Sequence, residues 1–464
     1  MKYFAIPSHR IAFLFGVVAS VLGIIYLIVT PPMQSPDEYN HFYRAWHISQ
    51  GNLYGQRTID HRIGGTLPES LPEFNEYYIG LIRCDSCKID MEHWHNSMEV
   101  SMEGSKDAFI DFANTGMYFP VNYLPQVLGI WIGRTLSDSV GFAFYIGRFM
   151  NLLFWILIGY LALRIIPVYK ELLFFLLLLP SSLAFHMSMN QDVLIHGLGF
   201  LLFAFTFRVI FEDSRYRLYY LMVVSLMATV LVMMKPTLWP LMLLVLFLPV
   251  SINKKPYWWT WTAVLAVSFI VLLGTSYVSH SLFIPFDEYH VDFREGQTLN
   301  PDVNPSHQLD FMLASPFFTL KTFIKSYLQA MPSLIAHYIG KSGWMALYLP
   351  GPLVLILLLG IIWSTQINGY RWKHQQRFLL LSIAFLLLSL FSVTMYLLWC
   401  PVGNDELWNL QGRYFVLILP LIWISIPRVL PKFRFDQYFG FWVLILILAN
   451  VYMLFSIILR YWHT

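Results

Sequence analysis

The sequence predicts an all-α polytopic membrane protein of about eleven transmembrane helices, with a small extracytoplasmic subdomain built from the first loop. Three observations carry that expectation. Of 464 residues, 57% are hydrophobic, 17% aromatic and only 12% charged, whereas a soluble domain is charged at about 25% of positions. A water-facing surface for so long a chain cannot be assembled from these residues. Apolar stretches long enough to cross about 30 Å of hydrocarbon recur from end to end, and basic residues collect in alternate connections between them. The lipid bilayer is therefore the expected solvent. With 30 basic and 27 acidic residues, a balance of +3, the chain lacks the basic excess of a nucleic-acid binder, so no nucleic-acid partner is expected. Three cysteines are too few for a disulfide-stapled scaffold.

Residues 1–30 read as the first transmembrane helix. Lys2 and Arg10 precede an apolar run from Ile11 to Val29, followed by Thr30, Pro31 and Pro32 in place of a small-residue cleavage site, so the run is retained as a span. Residues 31–140 form an extracytoplasmic loop, with 13 acidic and 6 basic residues between Pro31 and Pro120. In it, Val121 to Gly133 is expected to lie against the outer leaflet or half-enter it, because a span there would break the alternation of charge. A transmembrane bundle over 141–279 has spans near 141–163, 171–187, 193–211, 217–234, 236–251 and 257–279. Residues 280–348 make a second extracytoplasmic loop with interfacial helices, in which Lys321 and Lys325 share one face. The C-terminal bundle, 349–464, has spans near 349–364, 376–399, 412–427 and 438–459. With the N-terminus cytoplasmic, the inner connections hold Arg164 and Lys170; Arg208, Arg215 and Arg217; Lys254 and Lys255; Arg371, Lys373 and Arg377; and Arg428, Lys432 and Arg434. That succession sets the orientation more firmly than any helix boundary.

Ionisable groups near membrane spans are costly and so mark candidate sites. Asp37 and Glu38 lie just beyond the first helix, with His41 and Arg44 following. Arg148 sits in the outer half of the second span, and Asn190 and Asp192 at the outer mouth of the fourth. Lys235 stands in a tight outer turn, and Gln411, Arg413 and Tyr414 open the tenth span from outside. All fall at one membrane face. Cations placed there stabilise an anionic phosphate or pyrophosphate leaving group, Arg with a planar fork of donors, and a nearby carboxylate can take a proton from an attacking hydroxyl. Lipid-linked sugar phosphates present their phosphate at this depth. Plainer readings stand beside this one: a solvated loop start for Asp37 and Glu38, a snorkelling Arg148, a loop cation at Lys235, a helix pair of Asp192 with His196, and an Arg413 paired to Asp405 or Glu406.

The segment Pro31-Pro-Met-Gln-Ser-Pro-Asp-Glu-Tyr-Asn-His-Phe-Tyr-Arg-Ala45 resembles the first-loop signature of a family of bacterial membrane proteins known as DUF2142. Met189-Asn-Gln-Asp192, Lys235-Pro236, Gly343-Trp344 and Gln411-Gly-Arg-Tyr-Phe415 resemble its later motifs in the same order. The resemblance implies a multi-pass protein of the bacterial inner (cytoplasmic) membrane, grouped with the GT-C glycosyltransferases, which use polyprenyl-phosphate-linked sugars. It further implies Asp37 as catalytic base with Glu38 as neighbour or substitute, and Arg413, Lys235 and Arg44 as phosphate contacts. The expected partners are that donor and a glycan or glycolipid acceptor, and the expected reaction inverts the anomeric centre in one displacement. The adjacent Asp-Glu in place of a spaced Asp-x-Asp leaves a divalent cation open, and no other cofactor is expected.

The first loop carries Cys84-Asp-Ser-Cys87 before His93-Trp-His95. That spacing is compatible with a zinc site, a tight disulfide or free thiols, and an extracytoplasmic location favours the disulfide. Two rival functions remain open: a polymerase or ligase joining lipid-linked glycans, and a transporter of the same lipid. Charges gathered at one face rather than the midplane disfavour transport.

Overall fold

A computed structural model of the chain describes residues 8–211, 217–247, 251–252, 255–256, 258–367, 372–427 and 435–463. In α1 (Ser8–Val29), Ile11, Phe15, Ala19, Leu22 and Tyr26 are buried at three- and four-residue spacing, while Phe13, Val17, Val21 and Ile28 are exposed. One apolar stripe meets protein and the other has no protein against it, the pattern of a helix set between a bundle and lipid. After a Pro-rich turn, α2 (Glu38–Ser49) is buried on nearly every side. The first loop then forms a lobe that is not wholly helical, a departure from the all-α expectation. Strands β1 (Gln56–Arg57), β2 (Ile63–Pro68) and β3 (Asp107–Asp111) pair antiparallel in the order β1-β2-β3. Two helices, α3 (Ser70–Arg83) and α4 (Met91–Met98), complete the lobe.

Within the lobe Cys84 and Cys87 are joined in a disulfide. The zinc reading of Cys84, Cys87, His93 and His95 is thereby corrected: both sulfurs are spent, His93 Nε2 bonds Tyr77 O at 2.8 Å, and His95 faces Glu99 at 3.4 Å.

The segment 121–133 becomes α5 (Leu124–Leu136). Thirteen residues rise about 20 Å, too little to cross a bilayer. It packs on α6 (Val140–Ile165) through glycine: a Cβ on Gly129 would stand 2.6 Å from Gly147 Cα.

Six helices, not eleven, are long and apolar enough among the described residues to cross a membrane: His9–Val29, Val140–Ile165, Asp192–Phe211, Trp261–Ser281, His374–Trp399 and Tyr438–Tyr461. The other expected spans are shorter or broken, mostly at proline, which removes a helical donor and clashes with the preceding turn. Residues 171–187 divide at Leu179-Pro180 into α7 (Lys170–Leu178) and α8 (Pro180–His186). They lead into α9 (Asp192–Phe211) and α10 (Arg217–Met234). Pro236–Phe247, with Pro240 inside, winds as a 3-10 helix. Beyond α11 (Trp258–Ser281), α12 (Val291–Arg294) and α13 (Pro305–Ala314) lies α14 (Pro316–Gly340), which exposes Phe317, Leu320, Ile324 and Leu328 along one side, as an interfacial helix does. Then come α15 (Gly351–Ile367) and α16 (His374–Trp399). Residues 412–427 are a 3-10 turn, Gly412–Phe415, followed by the short α17 (Leu419–Ser425) with Pro420 in its first turn, and α18 (Phe435–Tyr461) closes the bundle.

α18 lies against α1, where Tyr26 hydroxyl bonds Asn450 Oδ1 at 3.2 Å, and its end grips the lobe. Arg460 donates to the carbonyls of Leu81, Cys84 and Cys87 at 2.9, 3.0 and 3.1 Å, and Ile89 N donates to Tyr461 O at 2.8 Å. At the opposite end stand Arg164 in the last turn of α6, Arg208 in that of α9, and Lys373 ahead of α16. Of the other expected inner-loop cations, Lys2, Arg215, Lys254, Arg371, Arg428, Lys432 and Arg434 lie outside the described residues.

Candidate functional site

The site begins where α1 gives way to α2. Pro31, Pro32 and Pro36 stop the first helix, and Asp37 takes up a left-handed conformation at φ 61°, ψ 15°. That region is uncommon outside glycine, with Asp among the residues that tolerate it best. The turn sends two adjacent carboxylates into different surroundings.

Glu38 is buried with Arg148, both side chains 0% exposed. Arg148 Nε and Nη2 donate to Glu38 Oε1 and Oε2 at 2.8 and 2.7 Å, a bidentate fork. Met189 N donates to Oε1 at 2.8 Å, and the remaining guanidinium hydrogens go to Thr30 O at 2.7 Å and Pro31 O at 3.0 Å. All three guanidinium nitrogens of Arg148 and both oxygens of Glu38 are engaged. The pair ties α1, α2, α6 and the turn before α9 together and is fully enclosed by protein.

Asp37 differs. It is 15% exposed, accepts from Arg413 Nη2 at 3.3 Å and takes a weak bond from Thr298 Oγ1 at 3.4 Å. Arg413 in turn reaches Asp192 at 4.0 Å, and Lys235 Nζ stands 3.9 Å from the other Asp192 oxygen. Tyr414 completes the group, its ring 5.1 Å from Lys235 Nζ and its hydroxyl 3.4 Å from Arg413 Nη2. Residues 37, 192, 235 and 413 thus meet from four distant parts of the chain. Asp405 and Glu406, offered as alternative partners of Arg413, pair with Lys325 instead, at 2.8 and 3.6 Å.

Arg413 and Gln411 line a cleft running between the Gln34-Ser35-Pro36 turn, α8, and the end of α14. Gly412 permits this, since a Cβ there would lie 2.7 Å from His337 Cβ and the 3-10 turn could not seat on α14. Beyond Lys235 and Tyr414 a small second recess lies between Leu387, Phe391, Leu417 and Ile418.

Other expected contacts are not brought into the cleft. Arg44 is fully buried, with Nη2 donating to Tyr118 O at 3.1 Å and to Leu53 O, and Nη1 meeting His47 Nδ1 at 3.1 Å. It anchors the loop after α2. Asn190 Oδ1 accepts from Asp192 N at 2.9 Å, starting α9, while its amide bonds Ser188 Oγ at 2.8 Å. His41 Nδ1 bonds Tyr123 hydroxyl at 2.8 Å behind the quartet.

Burial pushes His41 down from 6.5 to about 4, so the folded protein holds it neutral while the unfolded chain binds a proton below pH 6.5. The resulting stability is complete above pH 6.5 and lost as pH falls towards 4, by roughly 3 kcal/mol. Thermal unfolding of wild type and His41→Gln across pH 4 to 7.5 checks this: the wild-type midpoint falls through that window and the variant's slope is shallower.

The sequence reading missed His186, His337, Lys341, Ser181 and Gln34, all of which line the cleft. His186 stacks on Trp155 at 3.7 Å and bonds His196 Nδ1 at 2.9 Å. The i, i+4 spacing of His337 and Lys341 just ahead of Gly343-Trp344 was a signal available in the sequence; Trp344 Nε1 holds Met33 O at 2.8 Å, drawing that segment onto the first loop.

A chain with six bilayer-length apolar helices, exposed apolar stripes and ion pairs enclosed at one end of the bundle is a polytopic membrane protein. It belongs to the family described as predicted membrane protein (DUF2142), whose model matches residues 21–422 and so includes the whole quartet. No curated protein and no solved structure matches the chain.

Proposed function

We propose that this protein is a membrane glycosyltransferase of the GT-C kind, moving a sugar from a polyprenyl-phosphate-linked donor to a hydroxyl of a glycan or glycolipid at the extracytoplasmic face of the bacterial inner membrane. The observation that carries the reading is Asp37: a partly open carboxylate touching Arg413, which itself lines the cleft. In the reaction the acceptor oxygen attacks the anomeric carbon and Asp37 takes the hydroxyl proton. The bond from that carbon to phosphate oxygen breaks, and polyprenyl phosphate leaves as an anion beside Arg413. Attack opposite the leaving group inverts the centre.

Purified protein in lipid, offered a panel of polyprenyl-phosphate sugars, should release polyprenyl phosphate and form an inverted glycoside. Product of retained configuration, or binding of the whole panel without turnover in the presence of glycan acceptors, would overturn the reading. With the Arg413 guanidinium beside the leaving phosphate, turnover is expected to persist within about twofold in excess chelator.

A further inference from the structure

We infer that the phosphate of the lipid-linked donor is held between Arg413 and Lys341, with the side chain of His337 as a third donor, and that Lys235 serves to position Asp192. This rests on the proposed function and assigns its anion site.

Charge decides between the two lysines. Asp37 and Asp192 face Arg413 and Lys235, so the quartet is neutral as a group, and Lys235 has its carboxylate at 3.9 Å. Glu38 and Arg148 likewise cancel. Lys341 is different: no carboxylate lines the cleft, and among the described residues none pairs with Lys341. The cleft wall therefore has one cation in excess, Lys341.

The hydrogen-bond donors agree. Lys341 Nζ contacts His337 Nε2, and Ser333 hydroxyl lies 3.1 Å from the same nitrogen. An ammonium can only donate, so Nε2 is the acceptor and the neutral ring carries its proton on Nδ1. That Nδ1 is buried and has no partner, and neither does Arg413 Nε. Burial, followed by the adjacent Lys341, lowers His337 to about 4, in keeping with a neutral ring. His337 and Arg413, each with one nitrogen lacking a hydrogen-bond partner, and Lys341, whose charge no carboxylate cancels, line one cleft and together form a donor set suited to oxygen atoms bearing negative charge. A phosphodiester matches it, and departure of the sugar leaves a phosphomonoester with still more charge at the same place.

The test is binding of radiolabelled polyprenyl phosphate to full-length protein in nanodiscs, with polyprenol and inorganic phosphate as parallel probes. Lys341→Gln should weaken polyprenyl phosphate at least tenfold, Lys341→Arg should restore it to within about threefold, and Lys235→Gln should cost less than Lys341→Gln. Polyprenol binding should not depend on Lys341. Melting curves of each variant separate loss of the site from loss of the fold, and Lys341→Arg carries the comparison if Lys341→Gln does not fold. Equal binding by wild type and a folded Lys341→Gln overturns the inference; Arg413 dependence without Lys341 dependence does so while sparing the proposed function. Inorganic phosphate competing as well as the lipid would overturn assignment to a lipid donor. Failure of wild type to bind polyprenyl phosphate at all would overturn both.

Discussion

Asp37→Asn is expected to lower sugar transfer by two to four orders of magnitude while leaving donor affinity within a few-fold of wild type. A positioned base contributes about 10² to 10⁴ in rate, and asparagine keeps the shape and one acceptor oxygen of aspartate but cannot take up the proton. The Arg413 contact, at 3.3 Å, and the partial opening of the side chain place the loss in chemistry rather than in folding. Single-turnover rates with donor already bound measure this directly. A rate within threefold of wild type would remove Asp37 from the mechanism.

The neighbouring residue should behave in the opposite way. Glu38→Gln or Arg148→Met strands the partner as an unpaired charge where both side chains are fully enclosed, and breaking such a pair costs about 3–5 kcal/mol. Each single variant is expected to unfold earlier in detergent and to accumulate poorly. The double variant Glu38→Gln with Arg148→Met should recover part of the loss, because no uncompensated charge remains. Chemical unfolding of the four proteins gives the coupling directly. A Glu38→Gln protein that melts like wild type yet fails to transfer sugar would make Glu38 the base and reverse the assignment of the two carboxylates.

This division of labour between residues 37 and 38 shows where the sequence stops being legible. Depth along the chain was readable from hydropathy and the spacing of cations, and the structure brings Asp37, Asp192, Lys235 and Arg413 within ion-pair range of one another. Nothing in an Asp-Glu dipeptide says which carboxylate turns inward. That depends on the left-handed turn at Asp37 and on an arginine 110 residues further on. Arg44 and Asn190 likewise had the right chemistry at the right depth, but their partners are backbone carbonyls and amides set by loop paths that side-chain patterns do not encode. The number of spans was overstated because apolar composition survives where a helix does not: Pro180, Pro240 and Pro420 leave the residues hydrophobic while removing the regular backbone. The small sheet escaped notice since β1 has two residues and β2 begins Ile63-Gly-Gly, neither offering the alternation that marks a strand.

The grip of α18 on the first-loop lobe has a consequence for biogenesis. Arg460 bonds the Cys87 carbonyl across a separation of 373 residues, and at about 5–20 residues per second a ribosome needs roughly 20–75 s to translate that interval. Throughout it the nascent lobe has its local disulfide within reach, three residues apart, but lacks the strap that fixes its lower edge. Completion of the lobe thus waits on a helix translated hundreds of residues after it.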